Sequence, residues 1–363
     1  MMTDVWHRLA KILDTIPNAY TETKGDEHIR LLQWIFTEEE AELATNLKLR
    51  GETAAELSAR IGMSIEEIES LLETMHDKGQ IRAWTSSRTG LRKYSLMPFA
   101  VGIFEEQLGR MDSEFAQRFE DFYKQGGFET VLSVEPAPFQ VIPVNQSIDS
   151  QLQIFPSEIA QKIVESSASW GVRECICKKQ KALINEPCSY PSTVCIALAP
   201  NKEDAFDEDE LTKPISKERA LDILKEAEDA GLIHCTSNMK SGINYICNCC
   251  TCCCGVLRGI SEFDYPHAVV SSNYIANVNS ELCSGCASCI DRCQLHALSI
   301  PEEVCVVDNN RCIGCGVCAI VCPEDALRLV DRPHDEPREK PENIIDWMTQ
   351  KAVARGVDPS DLL

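Results

Sequence analysis

Residues 283–300 read CSGCASCIDRCQLHALSI, and residues 312–330 read CIGCGVCAIVCPEDALRLV. The second stretch repeats the first: four cysteines spaced C-x2-C-x2-C-x3-C, a short turn, Ala-Leu and an apolar strand. Working outward, all 20 cysteines of the 363-residue chain lie between Cys175 and Cys322, mostly in tight groups. A secreted disulfide scaffold spreads its cysteines through a short chain. Vicinal cysteines make poor disulfides, because neighbouring residues reach the required geometry with difficulty. In a reducing compartment thiolates grouped this way are metal ligands.

The doubled run resembles the bacterial-type ferredoxin with two [4Fe–4S] clusters. Three close thiolates wrap one face of a cube and the fourth reaches the other cluster. On that pattern Cys283, Cys286, Cys289 and Cys322 hold one cluster, and Cys312, Cys315, Cys318 and Cys293 hold the second. Gly285 and Gly314 are expected to let the backbone approach the sulfur closely. Pro323 follows the last ligand as in that family, whereas Gln294 stands at the equivalent place in the first run. Zinc ribbons also use C-x2-C pairs, but with longer spacers and without the doubled three-plus-one arrangement. Cys305, in VCVVD, reads as a small buried hydrophobe.

Two more thiol groups lie upstream. One comprises Cys175, Cys177, Cys188 and Cys195; the other is ICNCCTCCCG, residues 246–255, with Cys247, Cys249, Cys250, Cys252, Cys253 and Cys254. As extended chain the second group alternates faces, with Cys247, Cys249 and Cys253 on one side and Cys250, Cys252 and Cys254 on the other. A turn at Asn248 or Thr251 would break that alternation. Three thiolates a side is one short of a cubane. The two segments are therefore expected to share ligands around one or two further iron–sulfur clusters. The alternatives are zinc, including a separate site of Cys175, Cys177, Cys188 and Cys195, and a metal-free thiol switch. Cys235 stands alone, and His234 reads as a helix-end cap.

Residues 140–330 also resemble a group of poorly characterised [4Fe–4S]-binding proteins of anaerobic microbes. Those share the R-x-C-x-C run, a C-x6-C containing proline, an AGLIH-like helix end and C-N-C-C-x-C-C-C before a ferredoxin. The resemblance implies an iron–sulfur electron carrier.

Residues 30–97 resemble the winged-helix modules of transcription regulators. Thr53 with Glu56, and Ser64 with Glu67, have capping-box spacing. Ile65, Ile68, Leu71, Leu72 and Met75 recur at helical spacing, Gly79 stops the helix, and IRAWTSSRTGLRKYSL suits a two-stranded wing. Charge argues against DNA. Residues 38–80 hold 11 acidic and 4 basic residues, and the would-be recognition helix carries Glu66, Glu67, Glu69 and Glu73. Groove readout and phosphate neutralisation call for Arg and Lys there. Only the wing is basic, with Arg82, Arg88, Arg92 and Lys93. Docking to a redox partner, or homodimerisation through the winged helix, fits better.

The net charge of −22 points the same way. No run approaches ~18 apolar residues and no signal peptide is legible, so a cytoplasmic protein is expected. No Gly-rich dinucleotide fingerprint, Walker A motif or haem attachment site occurs.

The expected fold class is α+β and multidomain: a winged helix, a helical cysteine-rich middle domain and a C-terminal ferredoxin of βαβ repeats. The expected boundaries are a helix over 1–29, the winged helix over 30–97 and a helical and extended connector over 98–165. The metal-binding domain follows over 166–278, the ferredoxin over 279–331, and a polar tail with a docking helix over 332–363. The functions in contention are a multi-cluster electron carrier between a donor and a partner oxidoreductase in anaerobic metabolism, an oxidoreductase with a catalytic middle centre, and an iron–sulfur redox sensor controlling transcription.

Overall fold

Side-chain caps at Thr53 and Ser64 start two helices of the N-terminal third where the sequence places them. The computed structural model describes residues 4–148, 159–265, 267–333 and 340–362. The chain divides into two units, one of residues 1–135, 180–186 and 348–363, the other of 136–179 and 187–347. In the first unit α1 is Val5–Thr15, α2 Glu27–Ile35 and α3 Glu38–Ala44. Helices α4, Ala54–Ile61, and α5, Ile65–Asp77, follow. The Thr53 hydroxyl accepts the Glu56 N–H at 3.2 Å, and the Glu56 carboxylate accepts the Thr53 N–H at 2.7 Å, a complete capping box. Ser64 likewise caps Glu67, but the Glu67 carboxylate takes the Ser64 hydroxyl, at 2.8 Å. Ile68, Leu72 and Met75 form the buried face of α5, while Ile65 is exposed.

Strands β1, Arg82–Thr85, and β2, Arg92–Ser95, pair antiparallel as the expected hairpin. The Arg92 guanidinium is held by the Glu73 carboxylate at 2.9 and 3.0 Å, and the Tyr94 hydroxyl donates to the same carboxylate at 2.6 Å. One of the few basic residues of the hairpin is thus neutralised by the helix beside it. The short α6, Phe104–Glu106, leads to α7, Ser113–Lys124, and α8, Glu129–Ser133. Their aromatic side chains form the core of this unit: Phe104 stacks on Phe119 at 4.0 Å, and Tyr20 on Phe122 at 5.0 Å.

The second unit differs from expectation. The middle domain is not helical but is built on a seven-stranded sheet. Its strands are β3 Phe139–Ile142, β4 Ser169–Arg173, β5 Cys195–Ala199, β6 Lys213–Ile215, β7 Ile233–Ser237, β8 Tyr245–Cys249 and β9 Val269–Val270. Their order is β6-β4-β5-β8-β7-β3-β9, antiparallel throughout except β3 with β9. Most of these strands are short, and in β8 Cys247 and Cys249 occupy the alternate positions where Val or Ile would mark a strand. Within residues 98–165 the Phe-rich α7 lies in the first unit, and the proline-flanked Phe139–Ile142 is a buried inner strand of the second.

Helices α9 Ala160–Glu165 and α11 Lys217–Ala230 bury Ile163, Val164, Ile223 and Leu224 in one core with Ile196, Leu198 and Ile246 of the sheet. Ser216 caps α11 and Gly231 ends it in the left-handed region. Residues 149–158 of the expected connector lie outside the described residues. Helix α10 is Ile176–Leu183 and α12 is Gly255–Ser261.

The C-terminal part pairs β10 Tyr274–Val278 with β13 Leu327–Asp331 antiparallel, and a small hairpin joins β11 Leu298–Ser299 to β12 Val306–Val307. Helix α13 is Ser288–Arg292. The expected tail helix is α14, Ile344–Arg355, whose segment from Met348 onward belongs to the first unit. There the Arg355 guanidinium donates to the Asp14 carboxylate at 2.8 Å and the Ile16 carbonyl at 2.6 Å. Residues 334–339 of the tail lie outside the described residues. No described helix is long and apolar enough to cross a membrane.

Candidate metal centres

In the C-terminal part the two cysteine runs enclose two cavities. One is lined by Cys283, Cys286, Cys289 and Cys322, with Val278, Ile300 and Leu327 as apolar wall. The other is lined by Cys293, Cys312, Cys315 and Cys318, with Ile233, Leu298 and Leu329. Each thus gathers three thiols of one run and the last thiol of the other.

The backbone is tied down around both. Gly314 has φ +69°, and a Cβ there would lie 2.1 Å from the Tyr274 carbonyl oxygen; Gly285 has φ +65°, with the Glu303 oxygen at 2.5 Å. These glycines are therefore needed for a left-handed turn pressed against neighbouring backbone, a different reason from the sulfur approach expected of them. The carbonyls of the second loop are taken in turn. Ile313 accepts from the Ser272 N–H, Gly314 from the Ser272 hydroxyl, Cys315 from the Val144 N–H and Gly316 from the Ser147 hydroxyl, at 2.7–3.0 Å. Cys305 is buried, as expected, but it lines the first cavity. Its sulfur lies 3.6 Å from that of Cys289, and its N–H donates to the Cys283 sulfur at 3.5 Å. The Ala297 N–H donates to the Cys293 sulfur at 3.3 Å. Burial pushes the Cys315 thiol up to about 12 and the Cys318 thiol well above the ordinary range.

The ten cysteines of the middle region sort into two groups that cut across the sequence. Cys188, Cys250, Cys252 and Cys253 have their sulfurs all within 4.8 Å of one another. The remaining six close a ring. Cys175 interacts with Cys177 and Cys195, Cys195 with Cys247, Cys247 with Cys249, Cys249 with Cys254, and Cys254 with Cys177. The separate upstream site of Cys175, Cys177, Cys188 and Cys195 is thus corrected: Cys188 leaves it for the four-thiol group.

Sheet register explains the ring. Ile196 pairs with Ile246 and Cys235 with Cys247, so Cys195 and Cys247 fall side by side at the same level of adjacent strands. Cys247 and Cys249, two apart on β8, share a face. Chain reversal at Thr251–Cys253 ends the alternation, which sends Cys254 to the ring and Cys253 to the other group, the reverse of the extended-chain assignment. Cys235 is not alone, since its thiol reaches Cys249. Both ring nitrogens of buried His234 are engaged, by Asn248 Oδ1 at 2.5 Å and Glu228 Oε1 at 3.2 Å.

Hydrogen bonding between sulfurs makes the ring alternate in acidity. Cys177 and Cys195 hold Cys175 well below the usual thiol range, Cys195 and Cys249 pull Cys247 down to about 6, and Cys177 and Cys249 lower Cys254. Cys177, Cys195 and Cys249 are driven up in return. Thiolate is the ligand form, so the donor set fits a soft metal or a cluster.

Sequence reasoning missed two features. Lys178 is 3% exposed, and its ammonium donates to the Pro191 carbonyl at 2.6 Å. Burial disfavours its charge, but the thiolates of Cys175, Cys250, Cys249 and Cys188 outweigh that and raise its pKa. It serves members of both thiol groups, and the only hint was a Lys pair directly after C-x-C. The second is Gln294. Its side chain accepts the Thr251 N–H at 2.9 Å and donates to the Gly231 carbonyl at 2.5 Å, while its carbonyl accepts the Thr251 hydroxyl at 3.3 Å. The residue after Cys293 therefore joins the second cavity to the four-thiol turn, a job proline could not do. Gln294→Pro removes two bonds to backbone groups and is expected to cost ~2 kcal/mol in urea unfolding. A shift of the midpoint too small to resolve would show that the junction is not held by this side chain.

Residues 305–328 match the family model described as a 4Fe-4S binding domain. The match takes in Cys305, Cys312, Cys315, Cys318 and Cys322, and the first run lies outside it. No curated protein and no solved structure matches the chain.

Proposed function

We propose that the protein is a multi-cluster electron carrier, passing single electrons between a donor and a partner oxidoreductase. The observation that carries this reading is the pair of cavities, each gathering three thiols of one run and the last thiol of the other, with Cys305 as a fifth thiol in the first, beside a matched 4Fe-4S binding segment. Cys283, Cys286, Cys289 and Cys322 would hold one [4Fe–4S] cluster, and Cys293, Cys312, Cys315 and Cys318 the other. Bound clusters of this kind supply reversible one-electron chemistry. The chain's own part is to present the thiolates, to exclude water with Val278, Ile300, Leu298 and Leu329, and to aim the Cys305 and Ala297 N–H groups at ligand sulfurs. Donors of that kind favour the more reduced, more negative state and so raise the potential. The middle thiols would hold further metal and extend the path.

In this reading the α4–α5–hairpin segment is a winged helix used for protein docking. Exposed Glu66, Glu67 and Glu69 and the Glu73–Arg92 pair support docking to a basic partner surface over DNA.

The test is iron and acid-labile sulfide per chain on anaerobically purified protein, with a potentiometric titration followed by electron paramagnetic resonance. Cys293→Ser is expected to damage the cluster of the opposite run, leaving the Cys283–Cys286–Cys289 signal intact. Loss confined to the variant's own run would overturn the crossed assignment. A chain binding no sulfide would overturn the function.

A further inference from the structure

The four-thiol group is tighter than a cluster site. The Cys188 sulfur lies 3.7 Å from that of Cys250 and 3.6 Å from that of Cys252, and Cys252 lies 3.6 Å from Cys253. Four thiolates around one ion at about 2.3 Å form a tetrahedron with edges of about 3.8 Å. Thiolates at the corners of a cubane sit farther apart, on the order of 6 Å. The chain holds its own contrast. Among the described residues this is the only group of three or more candidate ligands whose atoms all come within 4.8 Å, so neither cavity-lining set of the C-terminal part is so contracted.

We propose that Cys188, Cys250, Cys252 and Cys253 form a closed tetrathiolate site for a single soft divalent ion, zinc or iron, separate from the six-thiol ring. This rests on the reading above that the middle thiols bind metal. Four thiolates around a divalent ion carry a net charge of −2, and buried Lys178 lies within electrostatic reach of Cys188 and Cys250. The Tyr190 N–H donates to the Cys188 sulfur at 3.4 Å. Four protein ligands leave no open position, so the site is structural. It ties the loop carrying Cys188 to the Thr251–Cys253 turn, the same turn that Gln294 grips. The ion therefore holds the junction between the ring and the second cavity.

The test compares zinc, iron and sulfide per chain in the full-length protein, Cys188→Ser and Cys195→Ser. Cys188→Ser is expected to lose a single ion and no sulfide; Cys195→Ser is expected to lose iron and sulfide together and keep that ion. Loss of about four irons with matching sulfide from Cys188→Ser would show a cubane and overturn the proposal. A wild-type chain holding only about eight irons and no other metal would instead overturn the reading that the middle thiols are ligands at all. Should the serine variants fail to fold, cobalt substitution of the wild type decides. One cobalt per chain with the intense bands of a tetrahedral thiolate complex supports the site, and their absence overturns it.

Discussion

Gly314→Ala is expected to destabilise the C-terminal part by roughly 3–5 kcal/mol and to empty the second cavity of its iron. Two costs combine. The residue sits at φ +69°, a conformation that a side chain disfavours. The added Cβ would also lie 2.1 Å from the Tyr274 carbonyl oxygen, on a strand paired along its length with Leu327–Asp331. The Ser272 hydroxyl, 2.3 Å away, can rotate, but the Tyr274 oxygen is backbone, so relief requires the loop to leave β10. The carbonyl bonds from Ser272, Val144 and Ser147 would go with it. Gly62 is the control. It has φ +80° but nothing within 4 Å of its Cβ position, so Gly62→Ala is expected to cost only ~1 kcal/mol. Thermal unfolding and iron content of the two variants settle the matter. Equal effects would mean that the close approach at Gly314 is not a constraint.

On the proposed reading, in which the six-thiol ring holds a redox-active cluster, Lys178→Met is expected to lower its reduction potential by on the order of 90 mV. Reduction adds an electron to a site already crowded with thiolates, and Lys178 is the buried cation that offsets them. A unit charge acting over ~8 Å at an effective dielectric near 20 is worth ~2 kcal/mol, which for one electron is about 90 mV. Methionine keeps the apolar stem, so packing changes little. Lys178→Arg keeps the charge and is expected to keep most of the potential, which separates electrostatics from packing. The C-terminal clusters provide an internal reference in the same redox titration. A Met variant whose middle-centre potential stays put would leave Lys178 a structural residue only.

Spacing carried much of this protein on its face. The doubled C-x2-C-x2-C-x3-C run marks eight thiols, the ferredoxin resemblance it carries implies their sorting into two crossed sets, and the two cavities collect those same thiols. Caps were equally readable at Thr53 and Ser64, because a cap is a contact across three residues. The hairpin over Arg82–Ser95 was legible for the same reason.

What depended on long-range pairing was not legible. The middle sheet went unread because its strands are short, because the alternate positions of β8 are cysteine, and because β3 enters it from a proline-flanked stretch that resembles a linker. The sorting of ten thiols into four and six follows from strand register and from one turn at Thr251–Cys253, which swaps Cys253 and Cys254 between groups. Local sequence determined which residues could bind metal. Only the tertiary structure decided which of them stand together, because β5 and β8 meet across a separation that no spacing rule spans, and a single reversed residue moves a thiol to the opposite face.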